Sequence, residues 1–180
     1  MIIVWDSETT GLLAPRAADI IHQPQLVDFY GIKLDESFNE ISRLTFRCKP
    51  SILIPDDAIK VHGITNEDVA NEKPFASHFV TLSNFFLGCE IEVGHNVFFD
   101  KMILFYELFR IGKDINFPYP PRSICSAEIS SQQKGFRQNL TDLHTELFGM
   151  AFTGSHSASN DCEATMKCFV ELVNRGRISI

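Results

Sequence analysis

The stretch WDSETTGL, residues 5–12, ends the first apolar run of the chain with two carboxylates, Asp6 and Glu8, placed two positions apart. The run before it, IIVWD at residues 2–6, predicts a short buried strand. Because alternate residues of a strand point to the same face, both carboxylates can reach one point at the end of this strand. The rest of the chain must therefore build a sheet around the strand and supply a partner for its two acids.

The segments that follow predict a mixed sheet with helices on both faces. Alternating apolar residues over 25–35 and 41–49 indicate two strands joined by a polar turn at 36–39, which complete a three-strand antiparallel meander. Two further strands are predicted at 89–96 and 122–126. The predicted helices cover 55–63, 66–71, 74–87, 97–112, 139–149 and 160–175. A meander followed by strands that alternate with helices indicates an α/β fold on a mixed five-stranded sheet.

The composition is that of one globular domain, which we expect to cover residues 1–180. Hydrophobic residues make up 44% and charged residues 22% of the 180-residue chain, and no repeat or Gly/Ser linker divides it. No segment approaches the roughly 18 to 20 apolar residues that a membrane span requires, so we expect a cytoplasmic protein without a membrane partner. Five cysteines without a CxxC pair argue against a disulfide framework or a zinc knuckle.

The acidic charge balance bears on function. A formal net charge of −7 argues against a protein that holds nucleic acid by a broad basic surface. It does not exclude a nuclease, because a catalytic cluster of carboxylates contributes negative charge that bound cations would offset. No GxGxxG or P-loop pattern follows the first strand, which argues against a Rossmann-type nucleotide-binding domain.

Two later segments carry acids where a helix begins. Asp100 lies in the first turns of the helix predicted at 97–112, and Asn96, four residues earlier, would share its face. Asp161 starts the last helix, five residues after His156 in the preceding loop.

These acids together predict a metal site. Carboxylates gathered beside apolar segments repel one another and lose hydration, so the fold tolerates them when cations join the cluster. Oxygen ligands favour Mg²⁺ or Mn²⁺, and two such ions can stabilise the attacking and leaving oxygens of a displacement at phosphorus. An imidazole such as that of His156 is suited to accept the proton of the attacking water.

Three stretches of the chain, WDSETTGL, VGHNVFFDKMIL and HSASNDCEAT, resemble in order and spacing the three Exo motifs of the DEDDh (DnaQ-like) 3′–5′ exonucleases, the group that includes polymerase proofreading subunits and RNase T. IPDDAIKVHGITNEDV resembles the segment that lies between the first two motifs of that family. The resemblance spans nearly the whole chain and implies an RNase H-like fold, in agreement with the predicted sheet.

Position by position, the resemblance implies that Asp6, Glu8 and Asp161 hold the metal ion that activates water. Asp6 would also contact a second ion near the leaving oxygen, and Asp100 would complete that side. The spacing of His156 to Asp161 implies the histidine subclass, with His156 as the base. The implied cofactors are two Mg²⁺ ions, with Mn²⁺ as a substitute.

The resemblance also implies a region that binds the substrate. The predicted substrate-binding residues are Thr9, Thr10, Gly11, Leu12, His62, Asn96 and Phe99. The first four match the stretch that holds the terminal nucleotide and wedges an apolar side chain at the last base step. His62 could instead cap helix carbonyls, and either Phe98 or Phe99 should line the cleft.

The chain departs from the family pattern in three places. Ser7 stands where Thr or a larger residue is more usual, and Trp5 is bulkier than the common Phe or Val. The segment at residues 11–27 is longer than in compact members, so it should form an extra loop near the substrate cleft.

The predicted function is a metal-dependent 3′–5′ exodeoxyribonuclease that releases nucleoside 5′-monophosphates from single-stranded DNA ends in repair, recombination or proofreading. An RNA 3′–5′ exonuclease of the same family is the alternative, because contacts to the 2′-hydroxyl cannot be seen in a sequence. A catalytically silent nucleic-acid or polymerase-binding module is the alternative from another class. The expected partner is a DNA 3′ end, with a polymerase partner and a homodimer both left open.

Overall fold

Five strands form one mixed sheet in the computed structural model, which describes residues 1–15 and 18–180 apart from the side chain of Gln133. The strands are β1 (Ile2–Thr9), β2 (Leu26–Leu34), β3 (Glu40–Arg47), β4 (Ile91–Gly94) and β5 (Arg122–Cys125). Their order is β3-β2-β1-β4-β5, with antiparallel pairing of β1 to β2 and β2 to β3 and parallel pairing of β1 to β4 and β4 to β5. The predicted sheet is confirmed, and β1 lies at its centre.

Helices connect and cover these strands. They are α1 (Asp56–His62), α2 (Phe79–Phe86), α3 (Val97–Arg110), α4 (Ser126–Lys134), α5 (Leu140–Phe148) and α6 (Ala158–Asn174), with short 3₁₀ turns at Ile20–His22 and Phe75–Ser77. Across residues 1–15 and 18–180, none of these helices has both the length and the apolar character that a membrane crossing requires.

Three predicted helices differ from the observed ones. Residues 66–71 form turns, although Thr65 and Asp68 make the reciprocal hydrogen bonds of a helix-starting capping box. The backbone N–H groups of Ala70 and Glu72 bond the carbonyls of Glu67 and Val69, three residues earlier, so the segment does not continue as an α-helix. The single helix predicted at 74–87 is divided into a 3₁₀ turn and α2. The last helix starts at Ala158, two residues before the predicted position.

Helix α4 was not predicted, since its sequence SAEISSQQK has few apolar residues. It packs through small polar side chains, because Ser126 is fully buried and Ser130 is 3% exposed. The Oγ of Ser126 lies 2.8 Å from Nδ1 of His95, and Ser130 donates a hydrogen bond to the carbonyl of Ala127. Polar side chains that are buried and hydrogen-bonded leave no periodic pattern of apolar residues in the sequence.

The alternation of β1 divides the core into two layers. Ile2 and Val4 face the layer that contains α5 and α6, whereas Ile3 and Trp5 face the layer that contains α2 and α3. The helices therefore cover both faces of the sheet, as predicted. Residues 6 and 8 continue the row of Val4, and residue 7 continues the row of Trp5.

A buried polar network fixes β1 against its neighbours. Glu92 on β4 is fully buried and accepts hydrogen bonds from Nε1 of Trp5, 3.3 Å away, and from the hydroxyl of Ser123 on β5. Lys101 on α3 forms an ion pair with the same carboxylate. A buried charge persists only when it is paired and hydrogen-bonded, so this network sets the position of α3 relative to the end of β1.

The packing around Gly31 provides a test of this core. A Cβ at Gly31 in β2 would lie 2.8 Å from Cε1 of Phe85 and 3.2 Å from Cε1 of Phe29. We expect Gly31→Ala to lower the free energy of unfolding by about 1–3 kcal/mol, because the aromatic rings must shift in a close-packed layer. Urea unfolding measures this loss.

Ser42→Ala, at an exposed position of β3, is the matched control and should change the free energy of unfolding by less than about 0.5 kcal/mol. Equal unfolding midpoints for the two variants would contradict the proposed packing.

Candidate active site

Three carboxylates meet at the end of β1. Asp6 and Glu8 come from β1 and Asp161 from the first turn of α6, and one oxygen from each lies within 4.8 Å of the others. The thiol of Cys162 approaches the carbonyl of Val4 at 3.3 Å, which holds the start of α6 against β1. The sequence spacing of Asp6 and Glu8 therefore placed both acids on one side, as predicted, and the sheet-to-helix packing added the third.

Asp100 reaches the same region from the other layer. It is 4% exposed, and its Oδ1 accepts a hydrogen bond of 2.6 Å from the hydroxyl of Ser7. It lies outside the group of three whose oxygens are within 4.8 Å of one another. The four predicted metal ligands are thus brought together as three carboxylates with a fourth beside them.

Burial raises the pKa of every one of these acids, and repulsion from the neighbouring carboxylates adds to the rise for Asp6 and Glu8. The pKa of Asp6 lies well above its usual range because of burial and then because of Asp100, Glu8 and Asp161. Burial, with the charge of Asp161, raises the pKa of Glu8 to about 8. Burial raises the pKa of Asp100 to about 7 against the opposing hydrogen bond from Ser7. A bound cation would offset the negative charge of these carboxylates, so the cluster favours cation binding.

The donor atoms fit a hard divalent cation. Oδ1 of Asp161 is buried and has no hydrogen-bond partner among the described residues. No Lys, Arg or His side chain within the described part of the chain forms an ion pair with Asp6, Glu8, Asp100 or Asp161. An all-oxygen set without a protein counter-charge suits Mg²⁺ or Mn²⁺, so the residues present fit the predicted metal site.

His156 lies in the exposed loop before α6 with a φ of 66°. Its backbone N–H donates a hydrogen bond of 3.0 Å to Oδ2 of Asp161, which opposes the rise that burial causes in the pKa of that carboxyl. His156 and Asp161 also line a cavity of about 380 Å³ together with Phe152. His156 is therefore held beside Asp161 by its backbone, and the role of its imidazole as a base stays a prediction.

A groove of about 490 Å³ opens beside the carboxylates. Six of the seven predicted substrate-binding residues line it, namely Thr9, Thr10, Gly11, Leu12, His62 and Phe99. Glu8 lines the same groove and also belongs to the carboxylate group. The groove and the acids therefore form one continuous site.

Asn96, the seventh predicted residue, does not line this groove. It precedes α3 with a φ of 73°, and its Oδ1 lies 3.4 Å from a guanidinium nitrogen of Arg137. The left-handed backbone is one that Asn adopts more readily than most residues. The structure thus gives Asn96 a position at the helix start, and a contact with substrate stays a prediction.

A model of the RNase T exonuclease family matches residues 3–169 of this chain. The chain belongs to that exonuclease family.

Two curated relatives agree with this assignment. The 3′–5′ exonuclease DinG of Bacillus subtilis (strain 168) is 30% identical over 178 residues, which are 97% of this chain and 18% of DinG. DNA polymerase III subunit epsilon of Treponema pallidum (strain Nichols) is 24% identical over 169 residues, which are 94% of this chain and 74% of that subunit. The exonuclease domain thus spans a small part of DinG and most of the epsilon subunit.

Solved structures show the same fold. The nuclease domain of 3′hExo, a DEDDh family member bound to rAMP, matches with a TM-score of 0.75 at 16% identity over 97% of this chain and 92% of that chain. The zinc-bound E. coli ExoI–ssDNA complex matches with a TM-score of 0.75 at 19% identity over 97% of this chain and 40% of that chain. The predicted RNase H-like fold is confirmed. Exonucleases of this family depend on divalent metal ions.

The end of β1 shapes the groove of the exonuclease domain. The pairing of β1 with β2 shifts between Glu8 and Thr9, directly after the second acid, and the strand ends at Thr9. The hydroxyl of Thr9 donates a 2.7 Å hydrogen bond to the carbonyl of Gly11, and Thr10 pairs with Gln25 through its N–H and its hydroxyl. Leu12 is left 86% exposed at the tip of this ordered segment.

His62 is oriented by two contacts at the end of α1. Its Nδ1 accepts a hydrogen bond from the N–H of Ile64, and its Nε2 lies 3.2 Å from the carbonyl of Thr9. Nε2 therefore carries the ring proton, and burial lowers the pKa of His62. Because the ring bridges α1 to the segment after β1, His62 both lines the groove and fixes its two walls.

Sequence reasoning missed two features of the site. The far wall of the groove comes from α1, through Pro55, Ala58 and Val61. The extra loop was predicted at residues 11–27, of which 16 and 17 lie outside the described residues. Its second half is tied to α3, because Arg110 donates hydrogen bonds to the carbonyls of Ile20, Gln23 and Pro24. The motif order gave no signal for either feature, since both depend on contacts between distant segments.

The raised pKa of Glu8 predicts a specific pH dependence of stability. As pH rises above the ordinary value of 4.5, Glu8 ionises first in the unfolded chain, so the free energy of unfolding falls until pH reaches about 8. In EDTA, wild type should therefore lose stability relative to Glu8→Gln between pH 5 and pH 8. We expect a loss of at least about 1.4 kcal/mol, which corresponds to one pKa unit. Urea unfolding at several pH values measures it.

Glu146→Gln is the matched control. Its hydrogen bonds to Lys134 and Arg177 lower the pKa of Glu146 to about 2, so this carboxyl is ionised in both states above pH 5. The stability difference between wild type and Glu146→Gln should therefore stay constant from pH 5 to pH 8. A constant difference for Glu8→Gln as well would contradict the rise in the pKa of Glu8 that burial and the neighbouring carboxylates cause.

Proposed function

We propose that this exonuclease domain hydrolyses the terminal phosphodiester at the 3′ end of single-stranded DNA and releases nucleoside 5′-monophosphates. The observation that carries the proposal is the position of Glu8, which belongs both to the carboxylate group and to the groove wall. A nucleotide bound in the groove would present its phosphate to the acids. The site is open at the surface, as an enzyme that acts on strand ends requires.

Asp6, Glu8, Asp161 and Asp100 would hold two Mg²⁺ ions in this proposal, or Mn²⁺ in their place. Bound ions would offset the charge of the carboxylates and stabilise the attacking and leaving oxygens of the displacement. The protein fixes the ligands on rigid elements, since Asp6 and Glu8 belong to the central strand and Asp100 and Asp161 to the first turns of α3 and α6.

The groove residues would orient the last nucleotides of the strand. Leu12 projects into solvent at the edge of the groove and would insert at the last base step, while Phe99 would contact a base with its apolar ring. The backbone around Thr9 and Thr10 is held by its own hydrogen bonds and is therefore prepared for the sugar and phosphate before substrate arrives.

His156 would accept the proton of the attacking water. Its backbone bond to Asp161 keeps it beside the carboxylate group, and its exposed loop leaves the ring in contact with solvent. A base at this place would serve the step in which water attacks phosphorus from the side opposite to the leaving 3′ oxygen.

DNA is the preferred substrate in this proposal, and the relatives support it. The epsilon subunit is a DNA polymerase subunit, and the ExoI complex holds single-stranded DNA. RNA is the second candidate, because the 3′hExo nuclease domain is bound to rAMP. The likeness to the epsilon subunit supports a polymerase as a partner in repair, recombination or proofreading, and a homodimer stays an open alternative.

Degradation of matched 5′-labelled single-stranded DNA and RNA tests the proposal. With Mg²⁺ or Mn²⁺, we expect a ladder that shortens from the 3′ end, faster on DNA, and no shortening in EDTA. Asp6→Ala should lower kcat by more than about 100-fold, because loss of a ligand exceeds the cost of changing its outer partners. Glu36→Ala, in the exposed turn after β2, is the matched control and should keep wild-type activity.

Two results would count against the proposal. Faster degradation of RNA than of DNA would indicate that RNA is the substrate. Absence of metal-dependent shortening on both strands would favour the silent binding module.

The role of His156 has its own test. His156→Asn should lower kcat by about 10²- to 10⁴-fold and leave the KM for DNA unchanged, because the residue moves a proton and does not hold the strand. The rate of the variant should rise with pH as hydroxide replaces the missing base. Steady-state kinetics from pH 6 to 9 measure both effects.

His22→Asn, which changes an exposed histidine in the extra loop, is the control and should match wild type. An unchanged kcat for His156→Asn would remove this histidine from the mechanism.

A further inference from the structure

Ser7 is the residue between the two acids of β1, and it faces the opposite layer. Asp6 and Glu8 lie on the side of Val4 and α6, whereas Ser7 continues the row of Trp5, which packs against α3. The side chain of Ser7 is 8% exposed. A hydroxyl buried at this depth needs a partner, and the structure shows which one it has.

That partner is Asp100. The Ser7 hydroxyl donates a hydrogen bond of 2.6 Å to Oδ1 of Asp100, and Ser7 is the one described side chain that donates to this carboxylate. Asp100 is buried and, in contrast to the three other acids, comes from the α3 layer of the core. Its carboxylate therefore depends on Ser7 for its link to the strand that carries Asp6 and Glu8.

We propose that Ser7 is a positioning residue that holds the Asp100 carboxylate in the orientation required for the metal site. This inference rests on the proposed function, because it assigns Ser7 a role toward the ion that Asp100 would help to hold. A serine has a single O–H, and its donation to Oδ1 commits one carboxylate oxygen and leaves the other for the cation or its water shell. Partners of this kind orient ligands in metal sites generally.

The geometry also explains why the link uses the middle residue of the motif. Strand alternation sends residues 6 and 8 toward α6 and residue 7 toward α3, so one short strand end contacts both helices that supply the remaining acids. Asp161 is held on one side by the backbone of His156, and Asp100 is held on the other by Ser7. Ser7 thus couples the fourth acid to the other three across the sheet.

Titration with Mn²⁺, followed by electron paramagnetic resonance without nucleic acid, tests this role directly. We expect Ser7→Ala to weaken Mn²⁺ binding at one site by roughly 10- to 100-fold, as removal of an outer partner does in other metal sites. With single-stranded DNA, kcat should fall by a similar factor while KM for DNA is unchanged. Ser7→Thr keeps the hydroxyl and should restore both quantities.

Ser130→Ala is the matched control. Ser130 is also buried. Its hydroxyl donates a hydrogen bond to the carbonyl of Ala127 and accepts one from the N–H of Gln138, but it lies on α4. It should bind Mn²⁺ and cleave DNA as wild type does, whatever stability it loses. Unfolding midpoints of all variants confirm that each is folded in the assay.

Two outcomes would overturn the inference. One is a Ser7→Ala variant that binds Mn²⁺ and turns over as wild type does, and the other is a folded Ser7→Thr variant as impaired as Ser7→Ala. If wild type cleaves neither DNA nor RNA, the proposed function fails, yet the Mn²⁺ titration still decides whether Ser7 positions Asp100.

Discussion

Mutual repulsion among four carboxylates at the end of the central strand is the constraint on which the rest of the site depends. Asp6 and Glu8 leave β1 on one side, and Asp161 and Asp100 approach from helices on opposite faces of the sheet. Burial and neighbouring charges raise the pKa of Asp6 and Glu8, so the protein holds these groups in an arrangement that is unfavourable without a cation. Burial of apolar side chains in the two layers beside β1 offsets this unfavourable free energy.

The same strand connects the charge cluster to the groove. The pairing of β1 with β2 shifts directly after Glu8, and the next four residues, 9–12, form one wall of the groove. His62 joins this wall to α1 through the carbonyl of Thr9. A displacement of β1 would therefore disturb both the acids and the groove. The buried contacts of Trp5 and Lys101 with Glu92 oppose such a displacement.

The two helices that carry the remaining acids are held in different ways. Asp161 is fixed by the turn before α6, where the N–H of His156 binds its carboxylate. Asp100 is fixed from β1 itself, through the hydroxyl of Ser7. The family resemblance identified both acids from their motifs, but the motifs describe positions along the chain and contain no information about which neighbour orients each carboxylate.

The sequence by itself determined the mixed sheet, its five strands and most residues of the candidate site, because period-two alternation and ordered motifs are local properties that can be recognised without knowledge of the fold. It misassigned residues 66–71, where the backbone bonds span three residues, and it missed α4, which is held by hydrogen bonds of Ser126 and Ser130 and has no apolar period. Only the tertiary structure decided that Phe99 rather than Phe98 lines the groove, that Asn96 stands apart from it and that Ser7 contacts Asp100. These outcomes depend on distances between segments up to 93 positions apart along the chain, which packing sets and which no local pattern encodes.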